Sequence, residues 1–269
     1  MSYDSGMPEI LIGTCGYSYG DWVGPVYPEG TRQEDFLGLY ASRFPAVELD
    51  FTYYQMPKAS ALERMAAVTP PSFRFALKAH RSLTHEPGED ALKDVAAFRE
   101  GIDPLVRAGK LSAVLLQFPY GFHYDPGSRR RLAALLEGLS GLPLAVEFRN
   151  DDWRRDSVIE GLRDRGAALV GVDEPDLPRL PRPSTEVTSP LAYVRFHGRN
   201  GENWWKGDNV SRYDWLYSEA ELREWVPRIR AILQKASVLL AFFNNHRRGM
   251  AAQNARDLRR ILKEENLLF

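Results

Sequence analysis

The sequence predicts an α/β barrel of eight parallel strands, and three observations predict it. Eight short apolar runs rich in β-branched and aromatic residues are separated by segments with apolar residues three or four apart. Strand and helix alternate from end to end, which calls for a parallel sheet, and eight such units closing on themselves leave no open edge. Six of the runs turn polar towards their C-terminal ends, the rim where barrels of this kind carry their chemistry. The expectation is one TIM-type (β/α)8 domain over residues 1–269, close to the ~250 residues typical of that fold.

The strands are expected at Ile10–Gly13, Ala46–Phe51, Phe73–Lys78, Ser112–Phe118, Leu144–Phe148, Ala167–Val172, Leu191–Phe196 and Ser237–Phe243. Helical spacing marks Gln33–Arg43, Ser60–Ala67, Ala91–Ala108, Ser128–Leu139, Ser157–Arg165, Ser218–Gln234 and Ala251–Glu265, where charges fall between apolar positions. The sixth connection, residues 174–190 (EPDLPRLPRPSTEVTSP), has too many prolines for a helix. It reads as a lid over the rim or as a stiff strap on the barrel wall, and proline stiffness makes the strap the preferred reading.

Alternation along an extended strand places Glu48, Asp50 and Thr52 on one face. The same count pairs Lys78 with His80, Glu147 with Arg149, Arg195 with His197, and Asn244 with His246. The inward set then carries Glu48, Asp50, Glu147 and Asp173 beside Arg74, Lys78, Arg149 and Arg195. Such a set can be a self-neutralising layer that closes the barrel, since buried ions must pair. The strand-end residues Arg149, Arg195, His197 and Arg199 are better explained by a ligand. An Arg fork suits phosphate or carboxylate, and a nearby Glu or His can move a proton near neutral pH. Lys78 could be a Schiff-base nucleophile with its pKa lowered by Arg74, but an ion pair with Glu48 on the adjacent strand is the preferred reading. Loop aromatics, among them Tyr17, Tyr54, Trp153, Trp204 and Trp205, offer stacking surfaces or pack under loops.

Glu147, Asp173 and His197 fall on successive strands and could form a divalent-metal site, although the neighbouring cations argue against it. Cofactor identity is therefore left open. Cys15, the single cysteine, excludes an intrachain disulfide, and with no histidine near in sequence it reads as a small buried residue rather than a nucleophile. A net charge of −1 removes the general basic surplus on which nonspecific nucleic-acid binding rests. No apolar run reaches the ~18 residues of a membrane span and the first residues lack a leader pattern, so a cytoplasmic protein without a membrane partner is expected.

The ordered series of motifs resembles the "domain of unknown function 72" (YecE-like) family. It comprises Gly13, Gly16, Tyr17, Tyr19 and Trp22; VELDFTYY with Glu48, Thr52 and Tyr54; Lys78; Thr84 and His85; LLQFP with Gln117 and Pro119; VEFRNDDW with Glu147, Arg149 and Trp153; RFHG with Arg195, His197 and Gly198; and FNN with Asn244 and Asn245, followed by Ala251 and Asn254. Asp50 departs from the family, where asparagine is usual. The resemblance implies a barrel fold and, at the level of fold alone, likeness to divalent-metal barrels acting on sugars and abasic DNA.

The functional expectation is a barrel enzyme of hydrolase, lyase or isomerase type, acting by acid–base chemistry on a phosphorylated or polyhydroxylated small molecule. Glu147 and His197 would move protons, with Glu48, Lys78 and Asp173 tuning them. Arg149, Arg195, Arg199, Tyr17, Tyr54, His80, Gln117, Trp153, Asn244 and Asn245 would bind the ligand. The alternative is a nucleic-acid-binding or phosphodiester-processing module, supported by the basic clusters Arg129–Arg131, Arg154–Arg155 and Arg247–Arg248.

Overall fold

Eight parallel strands close in chain order, β8 returning to pair with β1. They are β1 (Glu9–Cys15), β2 (Ala46–Leu49), β3 (Arg74–Lys78), β4 (Leu111–Gln117), β5 (Leu144–Glu147), β6 (Ala168–Asp173), β7 (Leu191–Phe196) and β8 (Val238–Phe243). The computed structural model describes residues 8–86, 91–208 and 210–268, so the leader reading at residues 1–7 lies outside the described residues. No helix among them is long and apolar enough to cross a membrane.

Strand periodicity divides the apolar residues into two cores. Inward positions on β2 to β6 present Ala46, Ala76, Ala113, Ala145 and Ala168, and the larger Tyr193 and Phe242 from β7 and β8 fill the space those small residues leave. Outward positions pack against the helical shell, as Phe75, Val114, Val146, Phe196 and Phe243 do. The shell's longer members are Ala59–Ala67, Ala91–Arg107, Pro126–Gly138, Asp156–Arg163 and Met250–Glu264. Asp125 starts the third of these by accepting from the Gly127 and Ser128 amides.

Two local departures from the expected elements matter for the rim. The expected helix 218–234 is two helices, Glu219–Arg223 and Val226–Leu233, because Pro227 lacks an amide donor and fits only the first turn of the second. The chain also leaves β2 early: Asp50 adopts helical angles (φ −87°, ψ −20°) and opens a short helix at Phe51–Tyr54. Alternation therefore stops at Asp50. Thr52 turns back into the barrel wall and donates to the carbonyls of Leu49 and Lys78.

The segment 174–190 is extended and lies along β6. Thr188 Oγ1 donates to Ala167 O at 2.6 Å and accepts from Leu169 N, while Arg179 O accepts from Asp151 N. Buried Leu180 reaches the barrel mouth from this strap.

Candidate functional site at the C-terminal mouth

Beneath the mouth, one arginine ties two carboxylates together. Arg195 projects inward from β7, donates from Nε to Glu48 Oε2 at 3.0 Å and from Nη2 to Glu48 Oε1, and reaches Glu147 Oε2 through Nη1 at 2.8 Å. Tyr193, two residues earlier on the same face, donates to the same Glu48 carboxylate. All four groups are essentially inaccessible to solvent. Charges so deeply buried persist because each carboxylate oxygen has a partner.

Glu147 also meets His197 Nε2 at 3.1 Å and has Arg149 Nε 2.5 Å from Oε1. Burial alone would raise the Glu147 pKa, but Arg149, Arg195 and His197 reverse this and hold it well below the usual carboxylate range. Burial, followed by the Arg149 charge, pushes His197 down to about 3. The imidazole is therefore neutral. An Nε2–H facing Glu147 and an Nδ1 accepting from Asn244 Nδ2 at 3.1 Å satisfy both ring nitrogens. Gly198 follows in the left-handed region (φ +87°), where a Cβ would collide with Trp215, and the chain turns out of the barrel there.

Above this layer lies a cavity of about 670 Å³. Its floor is made by Asp50, Lys78, Gln117, Arg149 and Asn244, and its walls by Tyr17, Tyr19, Tyr53, Tyr54, Tyr120, Trp204, Trp205 and Tyr213 with His85, His246 and Arg212. Tyr19 stacks on His246 at 4.7 Å, and Trp205 meets Tyr120 edge-on at 4.8 Å. Lys78 Nζ sits 4.3 Å from the centroid of the Tyr53 ring and has no ion pair among the described residues. Its pKa is lowered by burial and by Arg195 and Arg149, with Asp50 opposing. Burial and the nearby Glu48 push Asp50 up to about 7.

Glu174 is a residue that sequence reasoning missed. It is buried, neither carboxylate oxygen has a hydrogen-bond partner among the described residues, and Arg149 Nη1 stands 3.6 Å away. Burial pushes it up to about 8. Val170 and Val172 are inward on β6, so the same count leads to Glu174 and not to Asp173.

Five of the expected site residues lie away from the cavity. Asp173 faces the helical shell, accepting twice from Arg199, once from Tyr217 Oη and once from Trp225 Nε1. Arg199 is spent on that pair and on Glu224. Trp153 is buried against Phe122 and Phe148, with its indole nitrogen donating to Phe122 O. Asn245 donates to Trp215 O and Asn254 Oδ1 outside the barrel. His80 caps the helix Arg81–Thr84 through Ser82, and His85 lines the cavity where His80 was expected. The ion pair expected between Lys78 and Glu48 is absent because Arg195 holds both Glu48 oxygens. Arg74 lies at the opposite end of β3 on Pro71 O.

The geometry also dissolves the metal set read from the sequence, since Asp173 points away from Glu147 and His197. Ligand atoms of Cys15, Glu48 and Asp50 do lie within 4.8 Å of one another. Arg195 already brings positive charge there, with Nη2 3.5 Å from Cys15 Sγ and bonded to Glu48. Burial and Glu48 keep that sulfur a thiol.

Fold and cavity together define an eight-stranded parallel barrel with a polar-floored, aromatic-walled hollow at its C-terminal mouth. Likeness to known proteins narrows this to one group. The chain belongs to the family described as "Protein of unknown function DUF72", whose family model matches residues 11–268. It is 30% identical to the UPF0759 protein YunF of Bacillus subtilis (strain 168), over 95% of each chain. A DUF72 family protein of Thermotoga maritima superposes with a TM-score of 0.88 at 38% identity, covering 95% of this chain and 99% of that one. One from Enterococcus faecalis gives 0.83 at 29%, covering 94% and 95%.

Proposed function

We propose that this protein is an enzyme that acts by acid–base chemistry on a small polyhydroxylated molecule bearing a phosphate or carboxylate, bound in the mouth cavity. One observation carries the reading: Arg149, braced from below by Glu147, shares an aromatic-walled floor with Lys78 and Asp50. The guanidinium would take the anion, the rings would stack on the ligand body, and Gln117 and Asn244 would bind hydroxyls. Proton transfer falls to Asp50, pushed up to about 7 by burial and by Glu48, with Lys78, whose pKa burial lowers, beside it on the floor. Glu147 and His197, the proton carriers expected from sequence, are buried under the floor with their bonding complete. Their role is to hold Arg149 and Asn244 in place.

The nucleic-acid alternative draws less support, because arginines of each basic cluster are engaged within the protein. Arg129 and Arg155 both lie over Tyr124, Arg131 donates to Leu83 O, and Arg247 pairs with Asp214. A thermal-shift series with sugar phosphates, sugar acids, neutral sugars and a short single-stranded oligonucleotide tests the reading. Stabilisation by an anionic polyol that disappears in Arg149→Met supports it. Stabilisation by the oligonucleotide alone, or binding indifferent to Arg149, overturns it.

A further inference from the structure

The feature that acid–base chemistry alone leaves unused is the isolation of Lys78. Lysines on a barrel's inner face normally end on a carboxylate, because an ammonium partly withdrawn from water is disfavoured unless it pairs. Here the nearest strand carboxylate, Glu48, has both oxygens taken by Arg195 and one also by Tyr193. Asp50 leaves the strand geometry and reaches Arg195 Nη2 only at 3.9 Å. The Lys78 amine therefore ends against the Tyr53 ring on the cavity floor, with no carboxylate within ion-pairing distance among the described residues. Two guanidiniums, Arg149 and Arg195, stand near it and disfavour a third positive charge. Asp50 opposes them, and with burial the net shift is towards the uncharged, nucleophilic amine.

We infer that Lys78 is a covalent nucleophile that forms an imine with an aldehyde or ketone, most naturally a short phosphorylated hydroxycarbonyl compound whose phosphate rests on Arg149. The substrate class rests on the reading of the cavity given above; the covalent step is additional to it. The Nζ lone pair adds to the carbonyl carbon, the C=O π pair moves to oxygen, and that oxygen takes a proton from the Asp50 carboxyl, giving a carbinolamine. The cationic nitrogen returns one proton to Asp50, Asp50 passes it to the hydroxyl as the nitrogen lone pair forms the C=N bond, and the iminium's remaining proton goes back to Asp50. The C–O bond breaks and one water leaves, so amine plus carbonyl give imine plus water. Asp50 serves these transfers because it lines the same floor and is pushed up to about 7 by burial and by Glu48. Around the Lys78 amine stand Asp50, Arg149, Tyr213, Tyr53 and His85 on the cavity lining and Arg195 beneath it, and Asp50 is the one carboxylate on that lining among the described residues.

The test is reductive trapping on the full chain. Dihydroxyacetone phosphate or glyceraldehyde 3-phosphate is supplied with sodium cyanoborohydride, which reduces imines and spares carbonyls, and the protein is mapped by peptide mass spectrometry. Lys78 is expected to carry the adduct at occupancy at least about tenfold above any other lysine, since the ammonium fraction of an ordinary surface lysine near pH 7 exceeds its free amine by about three decades. Asp50→Asn should slow the labelling about tenfold or more, and Lys78→Arg should leave only the background. Adducts spread evenly over surface lysines overturn the inference, and this result is readable in the wild-type protein whatever the variants do. If the same compounds raise the melting temperature through Arg149 yet no Lys78 adduct forms, the anionic-polyol reading stands and the imine falls. If neither happens, both fall.

Discussion

Arg195 spans Glu48 with two nitrogens, Nε at 3.0 Å from Oε2 and Nη2 on Oε1, in a place with no solvent contact. Its remaining nitrogen holds Glu147, so a single guanidinium bridges two buried carboxylates from β2 and β5. Arg195→Leu should leave Glu48 without a cation, held by Tyr193 alone, and Glu147 with Arg149 and His197. The expected cost is about 3–5 kcal/mol, the penalty for breaking a buried pair by removing one partner. At this chain length that lowers the melting temperature by on the order of 10 °C, measurable by calorimetry. A loss of ligand affinity with an unchanged melting temperature would instead make Arg195 a binding residue.

Glu174 predicts an unusual pH dependence. Its folded pKa is raised by burial from the ordinary 4.5 to about 8, so between those values the folded chain binds a proton that the unfolded chain has released. Stability from this group therefore falls as pH rises through that window. Glu174→Gln removes the term, so the variant should match or trail wild type near pH 5 and exceed it near pH 9 in urea unfolding. Asp50, also raised, contributes with the same sign but cancels in the difference between the two proteins. A difference that is constant across pH would show Glu174 ionised throughout.

Much of this molecule was legible in its residues. Eight strands, their order and the rim follow from alternation, since each strand packs one face on the barrel interior and the other on the helical shell, and one-residue errors would turn a whole face. The Glu48, Glu147, Arg195 and His197 cluster followed from the same count. The misses have local causes. Asp173 was counted inward because it ends a run, yet Val172 already fills that face and the carboxylate is outward, bonded to Arg199, Tyr217 and Trp225. His85, Tyr213 and Arg212 come from irregular segments, where no period tells which way a side chain turns. Burial of Glu147 and His197 beneath the cavity depends on how high Arg149 and Lys78 stand above them, which strand alternation does not encode.

His197 gives a spectroscopic prediction. Burial and the Arg149 charge lower its pKa to about 3, so the ring should not titrate between about pH 5 and pH 8 and should show the Nε2–H tautomer by nitrogen NMR. The unfolded chain protonates this histidine near 6.5, so its contribution to stability is complete above that value and is lost as pH falls towards 3. A ring shift with a midpoint near 6.5 would contradict the assigned hydrogen bonds to Glu147 and Asn244.

Asp173→Asn separates a structural carboxylate from a functional one. Asp173 accepts from Arg199, Tyr217 and Trp225, and so fastens the segment after β7 and the helix starting at Val226 to the outer face of β6. An amide cannot accept with both ends. The variant should lose several kcal/mol, of the order expected when a buried charge network loses one partner, with ligand binding intact at temperatures where it is folded. An affinity loss at full stability would return Asp173 to the site.

The aromatic wall supplies the converse case. Trp205 is half exposed, touches Tyr120 edge-on at 4.8 Å and lines the cavity without a core role. Removing an exposed ring usually changes stability by under about 0.5 kcal/mol, whereas a ring stacked on a ligand contributes about 1–3 kcal/mol. Trp205→Ala should therefore weaken binding of an anionic polyol by about tenfold or more at an unchanged melting temperature, read by titration calorimetry. Trp153→Ala should do the reverse, because Trp153 is packed flat between Phe122 and Phe148 with its nitrogen on Phe122 O. Equal effects of the two on affinity would mean that the ligand does not rest on the mouth's rings.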